Sequence, residues 1–439
     1  MIVKKRKKSW RYETIIHEEL DSILRDAVVG GRTQVFQDEI FGSMLSCDAN
    51  SHYPSVELDE RNSWPDFSKL NAVSFDGFDL DGIEKMEGGI YVHWLKPDSD
   101  KFGFVSIRNK KTNTLNWTQH EGERWMTLCE FRFLKTLGYA LTPLPYKWNM
   151  KRSKINIETE EIEYEEIEKI IVAIVCPQLK INPFEAVRKW YNKRLELKKL
   201  DNEKEQLVKL LCNAGSFGKW IELNFDQRIS TNIIWENNFA PHGWEFDRVV
   251  EYNDEVYGYV KDPVAKRAKN TANILGAYVL SYARIRLYEM FVHVGVDNLI
   301  YCDTDSVKYL DNNVIFPKEI LGENLGQWTI EHRYDFFQAI KPKQYKCHII
   351  EQEDRATGNL VSCDIWKIRI KGVNVKGVVL LLWRKQHKTG QPTSSFTHEI
   401  LRDLDLKHIM EYERLIGLKE SFRRNIDAGK WTVQSKKMR

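Results

Sequence analysis

The sequence contains no paired cysteine motif and no long apolar run. Its seven cysteines are scattered, without a Cys-x-x-Cys pair or a spacing typical of a zinc site. An odd, dispersed set in a chain of 439 residues predicts reduced thiols in an intracellular compartment. The N-terminus lacks the apolar region of a signal peptide, and no stretch of about 18 apolar residues occurs. We therefore expect a soluble, cytoplasmic protein with no membrane partner.

An excess of charge of one sign is also missing. The 66 Lys and Arg against 63 Asp and Glu leave a net charge of +3, which indicates little about partners. Basic residues do cluster at both ends, where they could bind phosphate backbones or simply form solvated tails. The length exceeds that of one compact core and predicts two or more subdomains. The basic residues at the ends are Lys4, Lys5, Arg6, Lys7, Lys8 and Arg11, then Lys436, Lys437 and Arg439.

Two acidic segments stand out against this even background. Residues 301–306 read Tyr-Cys-Asp-Thr-Asp-Ser between two strand patterns, which predicts a hairpin with Asp303 and Asp305 at its tip. Residues 48–54 read Asp-Ala-Asn-Ser-His-Tyr-Pro. Carboxylates from two distant segments can hold a pair of Mg²⁺ ions that activate a primer hydroxyl and stabilise a departing pyrophosphate. Together the two segments predict a nucleic-acid polymerase.

A basic helical pattern runs from Pro183 to about Lys219. If this helix is uninterrupted, Lys198 and Lys209, 11 residues apart, lie on one face almost three turns from each other. Arg194 lies one turn before Lys198. A row of cations on one face suits a triphosphate, although a solvated lysine face is the ordinary alternative.

Other patterns predict the surrounding elements. Residues 270–293 have apolar residues near 3.6 spacing and predict a long helix before the strand at 299–302. Residues 397–427 read as helical and charged, and 431–433 as a short strand. A glutamate-rich run predicts a solvated helix or hairpin, or alternatively an acidic lobe that repels DNA or binds a basic protein. Its glutamates are residues 158, 160, 161, 163, 165, 166 and 168.

These segments, in this order, resemble the protein-primed branch of family B DNA polymerases, found in small tailed bacteriophages and linear plasmids. Residues 48–54 are similar to motif A, usually Asp-x-x-Ser-Leu-Tyr-Pro, and residues 301–306 match motif C, Tyr-x-Asp-Thr-Asp-Ser. Residues 343–345 fit the family's Lys-x-Tyr motif. Residues 29–31 (Val-Gly-Gly) stand where the family has a Tyr-x-Gly-Gly linker between its exonuclease and polymerase modules. The resemblance covers roughly residues 28–439.

The resemblance implies an α+β, right-hand polymerase fold with a palm (antiparallel sheet plus helices), fingers, a thumb and two insertions. The long interval from motif A to motif B, 161 residues (48 to 209), leaves room for the first insertion. The implied division is a basic arm and linker (1–30), palm (31–59), a first, priming-protein-binding-like insertion with the acidic segment 158–168 (60–178), fingers (179–221), a second, processivity-like insertion (222–262), palm (263–372) and thumb (373–439).

Motif B departs from the family pattern, which is usually Lys, three residues, then Asn-Ser-x-Tyr-Gly. Lys209 and Asn213 keep their spacing, but one extra residue precedes Phe217, which replaces Tyr. In a helix, one inserted residue rotates the residues after it by about 100° unless a π-bulge absorbs it. Either Lys209 and Asn213 keep their roles, or Phe217 and Gly218 do, or a bulge preserves both. We favour the bulge.

A second departure from the family pattern is that the segment before Gly30 is too short for the family's proofreading exonuclease. Only about 28 residues precede Gly30, too few for a domain with its own core. We expect that this chain does not proofread by itself, because the activity is lost or resides on a separate chain.

By resemblance, Asp48, Asp305 and the carbonyl of Ala49 would hold two Mg²⁺ ions, with Mn²⁺ able to substitute. Asp303 would be the third catalytic carboxylate, as a ligand or through its charge. The ring of Tyr53 would exclude a ribose 2′-OH. The residues implied to bind the nucleotide are Tyr53, Arg194, Lys198, Lys209, Asn213 and Phe217. Those implied to contact DNA are Gly30, Gly31, Ser51, Thr304, Lys343, Tyr345 and Lys371.

We therefore expect a template-directed DNA polymerase, a nucleotidyltransferase that adds dNTPs to the 3′-OH of a primer on a DNA template. It would replicate a phage or linear-plasmid genome in the bacterial host cytoplasm. A terminal, priming protein and a separate exonuclease chain are further candidate partners. The altered motif B keeps open a catalytically weak or inactive DNA- or protein-binding scaffold. An RNA-synthesising polymerase is a third interpretation, which Tyr53 opposes.

Overall fold

The computed structural model describes residues 18–109, 115–155, 162–199, 204–213, 218–224, 227–230, 245–252, 255–261, 266–267, 271–312, 314–354, 357–370, 375–406, 423–427 and 430–434. The strands are β1 (Thr33–Val35), β2 (Glu39–Ala49), β3 (Asn71–Ser74), β4 (Glu87–Leu95), β5 (Ile107–Arg108), β6 (Leu115–Asn116), β7 (Glu121–Thr127), β8 (Ala140–Pro143), β9 (Tyr146–Ile155), β10 (Ile162–Cys176), β11 (Leu223–Asn224), β12 (Gln227–Ser230), β13 (Glu245–Tyr252), β14 (Glu255–Lys261), β15 (Lys266–Arg267), β16 (Leu299–Asp303), β17 (Ser306–Leu310), β18 (Trp328–Lys341), β19 (Gln344–Glu353), β20 (Leu360–Ile370), β21 (Arg423–Asp427) and β22 (Lys430–Gln434). The α-helices are α1 (His52–Glu57), α2 (Leu80–Glu84), α3 (Leu128–Thr136), α4 (Glu185–Lys199), α5 (Lys204–Asn213), α6 (Asn273–Val294), α7 (Val375–His387) and α8 (Ser394–Asp403).

The central sheet has seven strands in the order β1-β16-β17-β2-β18-β19-β20. Each neighbouring pair is antiparallel. Strand β2 lies between β17 and β18 although it is far from both in sequence, which brings the segment at 48–54 beside the hairpin at 301–306. The predicted hairpin with carboxylates at its tip is confirmed, because β16 and β17 pair directly around residues 304–305.

Helix α6 covers one face of this sheet. It is apolar almost all round and most of its residues are buried, which is the pattern of a core helix. Its second half packs through Leu287 and Phe291 against the sheet residues Cys47 and Val307. The helix ends at Gly295, whose φ of 82° suits glycine at a helix C-terminus. The long helix predicted at 270–293 is therefore confirmed, with a start three residues later and an end one residue later than predicted.

A second sheet has the strand order β3-β10-β4-β7, with β8 paired to β4 and β9 paired to β10. It lies within residues 71–176. Of the helix or hairpin predicted for the glutamate run, the hairpin is the form that the described residues take. Glu163, Glu165 and Glu166 lie opposite Lys154, Arg152 and Lys151 in its register. In this register, the strand paired with the glutamates carries Lys and Arg at these three positions.

One uninterrupted helix across residues 183–219, the condition under which Lys198 and Lys209 would share a face, is not what the structure has. The structure has α4 and α5 instead, and the Nε of Arg194 lies 2.6 Å from an Oε of Glu205. In one straight helix, 11 residues would separate the Cα atoms of this pair by about 16 Å, beyond the reach of the two side chains. The two helices therefore pack side by side, and Lys198 and Lys209 do not share one helix face.

The C-terminal part also differs from its prediction. Residues 423–427 form β21 and not the end of a helix, and they pair with β22, which confirms the predicted strand at 431–433. A smaller sheet with the order β12-β14-β13 lies between α5 and α6 in the chain. The division into insertions, fingers and thumb stays a prediction. In the described part of the chain, no helix is long and apolar enough to cross a membrane.

Candidate active site

Asp48 and Asp305 lie at the same end of the central sheet. Asp48 is the next-to-last residue of β2, directly opposite Ser306, which follows Asp305 in the hairpin turn. The backbone N–H of Ala49 donates to the carbonyl of Asp305, 2.8 Å away. Antiparallel pairing thus places the two backbones side by side, and the two acidic segments, which are far apart in sequence, are neighbours in the structure.

The pKa values of both carboxyl groups are raised. For Asp48, burial and the nearby charges of Asp305 and Glu331 raise the pKa to about 8. For Asp305, burial is again the largest cause, with Asp303 and Glu331 next, and the pKa rises to about 6. Carboxylates that repel each other in a partly buried site favour a bound cation, which removes the repulsion.

Asp303 has a different environment. Its carboxylate pairs with the ammonium of Lys343 and accepts a hydrogen bond from the hydroxyl of Thr33 at 3.1 Å. Lys343 adopts a left-handed φ of 61° in the turn between β18 and β19, and its N–H donates to the hydroxyl of Tyr301 at 3.1 Å. The ring of Tyr345 packs against that of Tyr301, with centroids 5.3 Å apart. The Lys-x-Tyr segment is therefore attached to the motif C hairpin.

The predicted glycine pair lies on the tip of this hairpin. A Cβ atom added at Gly31 would lie 2.6 Å from the Cγ2 of Thr304, whereas one added at Gly30 would meet nothing within 4 Å. Thr304 has a left-handed φ of 63°, and its N–H donates to the carbonyl of Arg32 at 2.7 Å. Gly31 is thus required for the close approach of the linker to the motif C turn.

The segment after Asp48 forms a tight turn into α1. Asn50 donates through its side-chain amide to the carbonyl of Gly322 at 2.7 Å and to the hydroxyl of Thr329 at 2.8 Å. Ser51, with a left-handed φ of 53°, accepts a hydrogen bond from Arg194 at 2.6 Å. Arg194, predicted to bind the nucleotide, therefore connects α4 to motif A and is held by Glu205 as well.

Two rings follow in α1. His52 is buried and its Nε2 lies 3.1 Å from the carbonyl of Ala283 in α6. Burial and the charge of Arg286 lower the pKa of His52 to about 3, so its ring is neutral and donates. Tyr53 is partly buried, and its pKa is raised by burial and by the charge of Asp305, which places its hydroxyl near the carboxylates. The Tyr53 hydroxyl is thus within electrostatic reach of the candidate metal site, and its role in sugar selection stays a prediction.

Of the remaining residues predicted to contact the nucleotide or DNA, the structure describes some and not others. Lys209 lies on α5 with an exposed side chain, and its charge lowers the pKa of Asp48. Lys198 and Asn213 belong to α4 and α5, but their side chains fall outside the described ones. Phe217 and Lys371 lie outside the described residues, so the π-bulge stays a prediction.

The sequence did not predict two charged residues of the site. Glu331 follows Trp328 by three residues and raises the pKa of both Asp48 and Asp305. Lys308, two residues beyond the motif C serine, lowers the pKa of Asp48. A period-2 reading of β17 could have placed Lys308 on the face of Ser306, but only the β2–β18 pairing reveals Glu331.

The site offers two carboxylates and a backbone carbonyl to a cation. Among the residues that the structure describes, no group of three or more His, Cys, Asp and Glu side chains is arranged to hold a metal ion by itself. The carboxylates of Asp48 and Asp305 nevertheless supply hard oxygen donors of the kind that Mg²⁺ uses when substrate phosphates and water complete its shell, and the Ala49 carbonyl stays a predicted further ligand. The donors therefore fit the implied ions.

Comparison with known proteins identifies the family. Residues 1–237 match the family described as DNA polymerase type B, organellar and viral. That match covers more than half of the chain, which therefore belongs to this polymerase family. No curated protein sequence matches the chain.

Solved structures give the fold. Phi29 DNA polymerase complexed with primer-template DNA aligns with a TM-score of 0.54 and 16% identity over 82% of this chain and 56% of that polymerase. The same polymerase with primer-template DNA and incoming nucleotide substrates aligns with a TM-score of 0.54 and 17% identity over 81% and 55%. The chain thus spans just over half the length of the solved polymerases. The expected α+β, right-hand polymerase fold is confirmed.

Proposed function

We propose that the chain is a DNA-directed DNA polymerase that extends a primer 3′-OH on a DNA template. The observation that carries the proposal is the convergence of Asp48 and Asp305 at one end of the sheet, where burial and neighbouring carboxylates raise the pKa values of both. This arrangement occurs in a chain of the type B polymerase family, at the end of the central sheet where residues 48–54 and 301–306 meet.

The carboxylates of Asp48 and Asp305 and the carbonyl of Ala49 would hold two divalent ions. When bound, such ions lower the pKa of the primer hydroxyl and neutralise charge on the departing pyrophosphate. Mg²⁺ is the natural candidate for these hard ligands, with Mn²⁺ able to substitute. Asp303 already neutralises Lys343, so its role is to hold that lysine beside the primer end.

The other side chains position the substrates. Tyr53 presents its ring next to the carboxylates, where it would occupy the space of a ribose 2′-OH. Lys209, with Arg194 or Lys198 behind it, would bind the triphosphate from the α4–α5 pair. Lys343 and Tyr345 would steady the primer strand without reading its sequence.

The test is primer extension by the purified chain with Mg²⁺, compared with Asp305→Asn. We expect extension to fall by at least about a thousandfold in Asp305→Asn, since one of two metal-holding carboxylates is lost. Asp311→Asn is the matched control, because Asp311 belongs to the strand end away from the site and pairs with Arg333. Both variants should bind primer-template DNA normally. Full synthesis by Asp305→Asn would refute the assignment, and binding without synthesis by the unaltered chain would favour the scaffold interpretation.

The biological setting is a further part of the proposal. We infer from the motifs and their spacing that the enzyme replicates a phage or linear-plasmid genome in a bacterial cytoplasm from a terminal protein, with a separate exonuclease chain as a further candidate partner. Initiation would then attach a first dNTP to a hydroxyl of the terminal protein. Incubation of labelled dNTP, origin DNA and the candidate priming protein tests this directly. Covalent labelling that requires both proteins is expected, and synthesis only from nucleic-acid primers would contradict it.

A further inference from the structure

Lys308 lies on the same face of the central sheet as the candidate metal site. Ser306 is opposite Asp48 and Lys308 is opposite Ser46 in the pairing of β17 with β2. Residues directly opposite in an antiparallel pair share a face, as do residues two apart on one strand. The ammonium of Lys308 therefore extends from the face that carries Asp48, one step further from the hairpin tip.

Neutral groups surround this ammonium. Its Nζ donates to the hydroxyl of Tyr334 at 2.8 Å, and it lies 4.6 Å from the centroid of the Tyr334 ring and 5.8 Å from that of Tyr345. The Tyr334 hydroxyl lies 3.1 Å from the Oγ of Ser46. Among the described residues, no carboxylate lies within ion-pair distance of Nζ. Hydroxyl and ring contacts hold the cation in place but leave its charge uncancelled.

The charge of Lys308 acts on its neighbours. It lowers the pKa of Asp48, against the larger effect of burial. It also helps burial to lower the pKa of His332 to about 4, with Lys367 contributing in the same direction. Lys209 is the other cation that affects Asp48, but it belongs to the α4–α5 pair. Lys308 is therefore the cation that is fixed in the sheet itself.

We propose that Lys308 is a positioning residue that weakens the binding of divalent cations by Asp48 and Asp305. This inference rests on the proposed function. A positive charge fixed on the same sheet face as the carboxylates repels a divalent ion that they hold, and a packed sheet screens that repulsion less than water does. Lys308 would thereby keep a divalent ion held by these carboxylates exchangeable.

The test is Mn²⁺ binding by the full chain at pH 8.5, followed by electron paramagnetic resonance of free Mn²⁺. Lys308→Met removes the charge at similar volume, and we expect it to bind Mn²⁺ about three- to tenfold more tightly than the unaltered chain. Lys308→Arg keeps the charge and should match the unaltered chain. Lys367→Met, another partly buried lysine of the sheet, should change affinity less than twofold. The Mg²⁺ concentration for half-maximal extension should fall in parallel for Lys308→Met alone.

The outcomes separate the inference from the function beneath it. Unchanged or weaker Mn²⁺ binding by Lys308→Met, with binding still lost in Asp305→Asn, overturns the role of Lys308 and leaves the polymerase proposal standing. If Asp305→Asn binds Mn²⁺ with the same affinity as the unaltered chain, both the proposed metal site and this inference are overturned. If thermal denaturation shows that Lys308→Met is unfolded, Lys308→Gln, which keeps a donor for Tyr334, is titrated in the same way.

Discussion

At the scale of the residue, Asp48 destabilises the metal-free protein at neutral pH. Its folded-state pKa of about 8 lies above that of an unfolded aspartate, so the folded state holds the proton more tightly. The associated stability is full below about pH 4 and is lost as the pH rises through 8. At pH 8 in EDTA, Asp48→Asn should therefore raise the free energy of unfolding by about 1–3 kcal/mol, allowing for partial solvent screening. Equal or lower stability in urea denaturation would contradict the raised pKa.

Tyr53 is the residue whose change should alter sugar selection. Its hydroxyl is within electrostatic reach of Asp305, and removal of the ring would open space for a 2′-OH at the proposed site. Tyr53→Val should raise the efficiency of rNTP relative to dNTP incorporation by about tenfold or more, whereas Tyr53→Phe keeps the ring and should not. The check is the ratio of kcat/KM for a matched rNTP and dNTP pair. An unchanged ratio in Tyr53→Val would remove Tyr53 from the sugar site.

Single site residues could be predicted where they belong to a short sequence motif. Asp48, Asp303 and Asp305 stand within short motifs, and the structure brings their segments together. Glu331 and Lys308 were not predicted, because their effect on Asp48 depends on which strands become neighbours. The pairing of Asp303 with Lys343 likewise joins two turns that no local pattern connects.

At the scale of the element, the linker and the motif C turn act as one packed unit. Gly31→Ala would place a Cβ atom 2.6 Å from the Thr304 side chain, which must move and displace the turn that carries Asp305. We expect kcat to fall by at least about tenfold with little loss of stability, because small displacements of reacting groups are costly. Gly30→Ala is the matched control, since space is open there. Similar kcat values for both variants in single-turnover incorporation would show that this contact does not position Asp305.

Helix periodicity predicted elements well but not their breaks. The pattern of α6 is continuous, and both of its ends were close to the prediction. The pattern across α4 and α5 was equally regular, yet the two helices fold back on each other through Arg194 and Glu205. Nothing in a 3.6 period distinguishes one long helix from two packed ones, since both bury the same stripe. The strand at 423–427 was missed because its charged residues carry no clear alternation.

At the scale of the whole molecule, the fold followed from motif order and not from composition. An antiparallel sheet with β2 between β17 and β18 is what brings motif A to motif C. The family resemblance implied the right-hand polymerase fold, which the similarity to phi29 DNA polymerase confirms, whereas the strand order came only from the structure. Net charge and cysteine content excluded classes of protein without indicating this one.

The central claim is that residues 48–49 and 305 form one divalent-metal site of a polymerase. Fe²⁺ in place of Mg²⁺, with ascorbate and peroxide, cleaves a polypeptide close to the ion. On the full chain bound to primer-template DNA, we expect two cleavage sites, one near Asp48 and one near Asp305. Both should disappear with excess Mg²⁺, at the concentrations that support primer extension, and both should be lost in Asp305→Asn. Cleavage at only one segment, or at neither while extension proceeds, would contradict the account.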